Sequence, residues 1–572
     1  MGTVNVKTPW EKSMGGVPMH IDYFDGTMFE VLKQTADRFP GYDAMNFLGK
    51  ITDYKTMLAN TVRCARAFRA LGMREGDAVT IALPNCPQAM YVLYGVNLAG
   101  GVVNLIHPLA PENEIKSYVN RCGTRFFVTL DRFFDKAEHA CRDSCVQKLI
   151  TTSVRDELSV PMKLGYSLSE GRGIKKVPES ERHIRWKNFL QAGESLPGDF
   201  RASRGGDDPA VILFTGGSTG TPMGAVLTNR NVNALGRQVL AANPMAEAGN
   251  KILAALPLFH GFGLGVCVHT SVTCGGCSIL IPRFSVNNYG KLIVKHKCNF
   301  IAGVPTIYEA MMSNPALQKA DLSFLKGIYC GGDTLPEALK QRFDAFVTER
   351  NSPVTIREGY GATETVAACC LTPPHMHKPG SVGVPFPDTY IKIVEPGTDR
   401  EVPCGTEGEI LIAGPTVMQG YICETEKTAE TLKRHGDGLT WFRSGDLGTV
   451  DEDGFVFFSG RAKRMIVSSG NKVYPGQVEN TLDMHPMVKM SCVIGIPDAY
   501  KMQRVKAFVM LNPGLEASPE TAQTLLEYCA DHMDHYSVPS EIEFRDSMPK
   551  SLVGKVAFRV LEEEERQKRD RT

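Results

Sequence analysis

The chain has no excess of either charge. Across 572 residues, 63 Lys and Arg stand against 63 Asp and Glu. A protein devoted to binding a nucleic-acid backbone normally shows a basic surplus. The balance therefore argues against such a partner, although a total says nothing about a local patch. A long apolar run is also missing. The most apolar stretch, Met90 to Ile106, is interrupted by Asn97, Gly100, Gly101 and Asn104. It falls short of the ~20 apolar residues that a spanning helix needs. The N-terminal region carries Lys7, Glu11 and Lys12 with no apolar segment behind them, which does not read as a secretory signal. The 16 cysteines form no compact framework. A chain of this size has no need of disulfide staples, and scattered thiols fit a reducing compartment. These absences predict a soluble cytoplasmic protein with no transmembrane segment and no nucleic-acid partner.

What is present is ordinary globular material, with 43% hydrophobic and 22% charged residues, so disorder, collagen-like repeats and coiled coil are excluded for the bulk of the chain. At roughly 150 residues per unit, the length alone suggests about three to four units. From Met28 to Leu130 helix and strand patterns alternate. Helices are predicted over Met28 to Arg38 and Pro87 to Leu98, and strands over Ala78 to Leu83, Val102 to Ile106 and Phe126 to Leu130. Such alternation favours a layered α/β core. Thr151 to Gly206 breaks the rhythm and reads as a surface excursion, a solvated loop or a contact with a membrane surface or partner. The rhythm resumes at Ala210 to Phe214. Between Tyr390 and Phe458 short alternating runs separated by Gly, Pro and Asp predict a small antiparallel β unit, expected to form a small β-barrel. The tail after Lys463 reads as α+β, with strands at Val488 to Ile496, Val505 to Leu511 and near Glu541 to Phe544, and a helix from Ser518 to Met533. The charged run from Glu562 to Arg571 reads as a solvated helix end.

Chemistry concentrates in five segments. The first is the loop Thr215, Gly216, Gly217, Ser218, Thr219, Gly220, continuing to Gly224, fed by the apolar strand before it. Glycines let backbone N–H groups turn toward an anion and hydroxyls add donors, so the loop suits a polyphosphate. It lacks the Gly-Lys-Ser/Thr ending of a Walker loop. The second is Glu358-Gly359-Tyr360-Gly361-Ala362-Thr363-Glu364, in which a ring can stack on a base, a hydroxyl can reach phosphate and a carboxylate can hold Mg²⁺. The others are Trp441 to Gly448, Ser459 to Lys463 and Pro549 to Lys555.

In this order the five segments resemble the adenylate-forming superfamily of acyl-CoA synthetases, adenylation domains and beetle luciferases, from about Met28 to Lys555. The resemblance implies a large N-terminal adenylation domain, residues 1–462 with its β-rich part at about 380–460. A small mobile C-terminal α+β lid domain, residues 463–572, follows it. ATP, Mg²⁺ and CoA are implied as cofactors and substrates. The loop from Thr215 to Gly220 would cradle the ATP phosphates, and Thr219 and Glu364 would hold Mg²⁺. Tyr360 and Gly361, beside Gly331, Gly332 and Asp333, would receive adenine, and Thr363 the α-phosphate. Asp446 and Arg461 would hold the ribose, with Lys463 as the hinge. Lys555 would bridge carboxylate and α-phosphate, meeting the need for a cation where two anions approach. His260 sits where the superfamily gates its acyl site. Gly470, in Ser469 to Lys472, would line the path of the thiol.

The chain departs from the superfamily pattern at Met223, where Lys is usual, at Arg464, where an acid is common, and at Gln477, where Glu is frequent. Cys274 and Cys277 have no second close pair and read as a turn. His532 and His535 lack a third ligand. The segment from Gly261 to Gly265 is a poor dinucleotide fingerprint and reads as a wall of the acyl site. Pro257 to Gly261 offers no acid for a substrate amine, and only a short charged tail follows Lys555. The reading is an acid–thiol ligase that makes an acyl-CoA through acyl-AMP from a medium- or long-chain fatty acid. An aryl-CoA ligase, a carrier-protein-loading ligase and a weakly catalytic acyl-nucleotide-binding protein are the alternatives. A peripheral membrane contact stays open.

Overall fold

The computed structural model describes residues 6–174, 176–196, 198, 200–215, 222–283, 286–498, 500–550 and 556–570. Two large sheets carry the N-terminal part. The first has eight strands in the order Gly420–Tyr421, Met223–Thr228, Pro209–Thr215, Val102–Leu105, Ala78–Ala82, Thr124–Leu130, Lys148–Thr152 and His183–Arg185. From Pro209–Thr215 onward the neighbours are parallel. The second sheet has nine strands, and its parallel core runs Ile356–Tyr360, Gly327–Gly331, Phe300–Gly303, Lys251–Ala254, Cys277–Leu280, Asp43–Phe47.

Parallel sheets survive only when both faces are covered, and the strands show it. Ala78–Ala82 and Gly327–Gly331 are buried at every position. The helix Pro87–Leu98 is also buried at every position. Apart from Gln88 and Asn97, which are hydrogen-bonded, it has no strongly polar side, as suits a helix with no solvent face. Its Leu93 and Tyr94 share one core with Val79 of the first sheet and Ile328 of the second. The helix Met28–Arg38 starts at a capping box, in which the Thr27 hydroxyl accepts from the Glu30 N–H and the Glu30 carboxylate accepts from the Thr27 N–H. Each satisfies a backbone donor that the helix itself cannot.

The predicted strands and helices fall where the periodicity placed them, with three corrections. The β unit is an open sheet, not a barrel. Tyr390–Val394, Gly408–Ala413 and Thr440–Val450 pair in order, and Leu432–Arg434 and Val456–Arg461 both pair with the last. Covering replaces closure. One face packs on Tyr360, Cys369 and Val382, and the other on Trp10, Met14 and Val384. The excursion after Thr151 is only partly a surface loop. His183–Arg185 adds an edge strand, and Trp186 and Phe189 of the helix Trp186–Ala192 are buried. The charged C-terminal run is only partly a solvated helix end, with Arg566 to Arg569 exposed. It lies in the helix Phe558–Asp570, whose Leu561 is buried and whose Glu565 pairs with the buried Lys506.

The C-terminal part has its own core, including Ile466, Leu482, Val493, Val509 and Leu525. Its strands are Ile466–Ser468, Asn471–Val473, Val488–Asp498, Met502–Leu511 and Glu541–Phe544. The Tyr474 hydroxyl donates to Glu407 of the β unit across the junction. Cys274 and Cys277 flank a left-handed Gly275 at a helix end, the expected turn. Among the described residues no helix is long and apolar enough to cross a membrane.

Two predictions follow from burial. Trp10 is 1% exposed and seals the outer face of the β unit. Trp10→Ala should cost about 3–5 kcal/mol, read as a lower urea midpoint. A loss below about 1 kcal/mol would show that the N-terminal segment only rests on the sheet. Glu358 is buried in the second sheet, where it accepts from the Leu335 N–H. Burial, with Glu337 adding to it, pushes its carboxyl up to about 8, against the pull of the Leu335 N–H and Lys340. A carboxyl raised in this way supplies stability that is complete below its unfolded value and is lost as pH rises through about 8. Glu358→Gln cannot ionise, so its urea midpoint should gain on wild type between about pH 5 and about pH 9. A difference flat with pH would show the carboxylate already ionised in the fold.

Candidate active site

The carboxyl ends of both parallel sheets open into one cleft of about 1560 Å³, closed on its other sides by the β unit and the C-terminal part. Ligands of open α/β sheets bind at such ends. Thr215, Met223, His260, Asp333, Tyr360, Glu364, Asp446, Arg461 and Lys463 all line it.

At one wall the Tyr360 hydroxyl donates to Asp446 at 2.7 Å. Both residues are buried. Burial and the neighbouring Asp446 carboxylate hold the Tyr360 phenol well above its ordinary value, so it stays a donor. Asp446 is paired in register with Arg461, whose Nε lies 3.6 Å from the carboxylate. The Phe458 ring stands 5.8 Å from that of Tyr360. The order Tyr360, Asp446, Arg461 therefore forms a flat, hydroxyl-and-carboxylate-edged shelf, chemically suited to a base and its sugar.

Next to it the chain makes a tight turn, Thr363–Thr365. Glu364 accepts from the Tyr421 hydroxyl at 2.6 Å, and its carbonyl accepts from the Met418 N–H at 2.7 Å. Burial and the Glu364 carboxylate raise the Tyr421 phenol, so this contact is a lasting O–H donation. Thr363 and Gly361 face the same space. A Cβ at Gly361 would lie 2.2 Å from the Ala367 carbonyl oxygen, so only glycine fits. Gly331, Gly332 and Asp333 end the neighbouring strand, with Gly332 at φ +82°.

The inner cleft is apolar. Phe259, Phe262, Val266, Val239 and Leu371 line it. Phe262 and Val266 stand on a wide π-helical turn, Phe262–His269, and a Cβ at Gly331 would meet the Phe262 ring at 3.6 Å. Of the Gly261 to Gly265 segment, read from the sequence as a wall of the acyl site, Phe262 lines this chamber. His260 lines the same cleft, its Nδ1 accepting from the Phe262 N–H at 3.3 Å. His107 packs against Phe259 at 4.7 Å, and burial lowers its imidazole toward the neutral form.

Not every expected residue gathers here. Gly470 and Ser469, both at positive φ, form the tip of the hairpin Ile466–Ser468 and Asn471–Val473, away from the cleft lining. Gly216, Gly217, Ser218, Thr219, Gly220 and Lys555 lie outside the described residues. Met223 stands in register with Thr215 and packs against the main core. Arg464 lies 2.8 Å from Glu479 and over the Phe558 ring, so the unusual cation is paid for inside the C-terminal part. Gln477 is exposed. Among the described residues no three His, Cys, Asp or Glu side chains gather as a metal cluster, His532 and His535 included. Tyr421 and His107 were not anticipated, and Glu358 was read only as the start of the second segment. Each lies outside the recognisable segments or carries its role through a distant partner.

Comparison with known proteins agrees with this geometry. The family model described as AMP-binding enzyme matches residues 32–422, and that of the AMP-binding enzyme C-terminal domain matches residues 477–555. A long-chain-fatty-acid–CoA ligase of Bacillus subtilis (strain 168) is 33% identical over 567 residues, 97% of this chain and 98% of that protein. A feruloyl-CoA synthase of Amycolatopsis sp. is 32% identical over 519 residues, 90% of this chain and 94% of that one. The crystal structure of the ATP-bound RpMatB-BxBclM chimera B1 superposes with a TM-score of 0.81 at 26% identity, covering 95% of this chain and 99% of that chain. The chain belongs to the AMP-binding enzyme family and is an AMP-forming acyl-CoA synthetase.

Proposed function

We propose that the enzyme converts a medium- or long-chain fatty acid to its acyl-CoA. The observation that carries the reading is the chamber lined by Val239, Phe259, Phe262, Val266 and Leu371, continuous with the polar shelf of Tyr360 and Asp446. A ligand spanning it would need an apolar tail and a nucleotide-bearing head, which describes a fatty-acyl adenylate. The long-chain relatives support the same choice. An aryl acid is the second reading, favoured by the feruloyl-CoA synthase of nearly equal identity.

In the first step the substrate carboxylate attacks the α-phosphorus of ATP, forming acyl-AMP and releasing pyrophosphate. Asp446 and Arg461 would orient the ribose, Tyr360 the base and Thr363 the α-phosphate. Lys555 would stand between the two anions and lower their repulsion. The Glu364 carboxylate, with one oxygen engaged by Tyr421, suits Mg²⁺, which takes few protein ligands and completes its shell with phosphate and water. Thr219 would be the second contact. Bound there, the ion neutralises phosphate charge. His260 and Phe262 would gate the acyl chamber and keep water from the adenylate. In the second step residues 463–572 would pivot at Lys463 against residues 1–462. That motion would bring Gly470 to the cleft, and the CoA thiolate would displace AMP.

ATP–pyrophosphate exchange across fatty and aryl acids, followed by thioester assay with CoA and with a carrier protein, tests the substrate and the acceptor. Exchange strongest with aryl acids would overturn the fatty-acid reading. Lys555→Ala should slow adenylation on the order of 100-fold or more yet leave thioester formation from supplied acyl-AMP nearly intact. Equal loss of both half-reactions would remove Lys555 from the role assigned.

A further inference from the structure

The helix Val160–Leu168 carries its apolar stripe on the outside. Val160, Leu164 and Leu168 are 74%, 65% and 79% exposed. Residues four apart share one helix face, so the three form a single stripe. Tyr166 lies on the opposite side, half-buried against the main core, and its phenol is raised by burial. The helix is therefore fastened at Tyr166 and presents the stripe, with Met162 a further 40% exposed apolar residue beside it. Single exposed apolar residues are ordinary, but a contiguous stripe marks an interaction surface.

The fringe of the stripe indicates its partner. From Val160 to Lys176 the chain carries Lys163, Arg172, Lys175 and Lys176 against the single acid Glu170. Arg172 and Lys176 are exposed, and the exposed Arg132 lies beside Tyr166 together with the acids Asp131 and Glu170, so the cations keep the majority around the stripe. A nucleic acid would use the cations and waste the leucines. An apolar groove on a protein would use the leucines and gain nothing from the cations. An anionic bilayer uses both, the apolar stripe entering the acyl boundary while Lys and Arg meet headgroup phosphates.

The stripe also lies on the correct edge of the molecule. The strand Lys148–Thr152 feeds this segment and runs parallel to the strand Val102–Leu105, which delivers His107 to the cleft. Three strand spacings separate them, or about 15 Å. We propose that this helix docks the enzyme on an anionic phospholipid surface with the cleft edge toward the bilayer. The docking rests on the exposed stripe and its cations, and stands whichever acid the enzyme activates.

The test is flotation of the full-length protein with phosphatidylcholine vesicles, with and without phosphatidylglycerol. Wild type should float with the anionic vesicles and be released by high salt. Leu164→Asp with Leu168→Asp should lower the bound fraction on the order of tenfold, and Lys176→Glu should weaken it by several-fold. The thermal midpoint and the pyrophosphate exchange with a water-soluble acid should stay at wild-type values, which separates lost docking from lost folding. Failure of wild type to float, or equal flotation of the double variant, overturns the proposal. So does a dimer in sedimentation that the double variant dissolves, because a second copy would then cover the stripe.

Discussion

The cleft depends on a single strained turn. Val366, a β-branched residue, sits at φ +65° and ψ −59°, and the Ala367 N–H closes back on the Thr365 carbonyl at 2.8 Å. That is a γ-turn of the rare positive-φ kind, in a region that costs roughly 1–3 kcal/mol. Packing holds it there. The Val366 side chain is fully buried, and its carbonyl oxygen occupies the space where a Cβ of Gly261 would lie, 1.5 Å away. Ala367 presses on Gly361 in the same way, its carbonyl oxygen 2.2 Å from where a Cβ would lie. Two glycines in separate segments thus allow backbone to meet backbone. The turn they admit aims Glu364 into the cleft, where Tyr421 and Met418 secure it. The second sheet, the π-helical wall and the edge strand Gly420–Tyr421 are joined at this one place.

Electrostatics follow from that convergence. A buried carboxylate needs donors, and Asp446 has Tyr360 beneath it and Arg461 in the neighbouring strand. Arg461 is mostly exposed, so its pull is screened and its guanidinium can follow a ligand. The zero net charge of the chain conceals this arrangement. Acids and cations are sorted around one cleft.

Much of this was legible because the signals were local. The ends of Met28–Arg38 and Pro87–Leu98 follow from capping, proline and periodicity, and four of the five segments contribute described residues to the cleft lining. What was not legible depends on distance along the chain. Tyr421 belongs to a two-residue strand and meets a carboxylate at position 364. Trp10 has no pattern around it, yet it covers a sheet whose strands begin at Tyr390, and this covering is why the β unit needs no barrel closure. Arg464 reads as a departure until Glu479 and Phe558 fold back on it.

Met223 shows how a departure can be absorbed. A lysine here would contribute a charge-assisted contact worth on the order of 1.5–3 kcal/mol to a bound phosphate. Methionine instead packs on the main core while paired with Thr215, so it anchors the start of the strand Met223–Thr228 through apolar contact. Thioether packing adapts to its neighbours and does not titrate, but it supplies no positive charge. The charge that two approaching anions require must then come from elsewhere around the cleft. Arg461 and Lys463 line it already, and Lys555 is the cation proposed for the rest of that task.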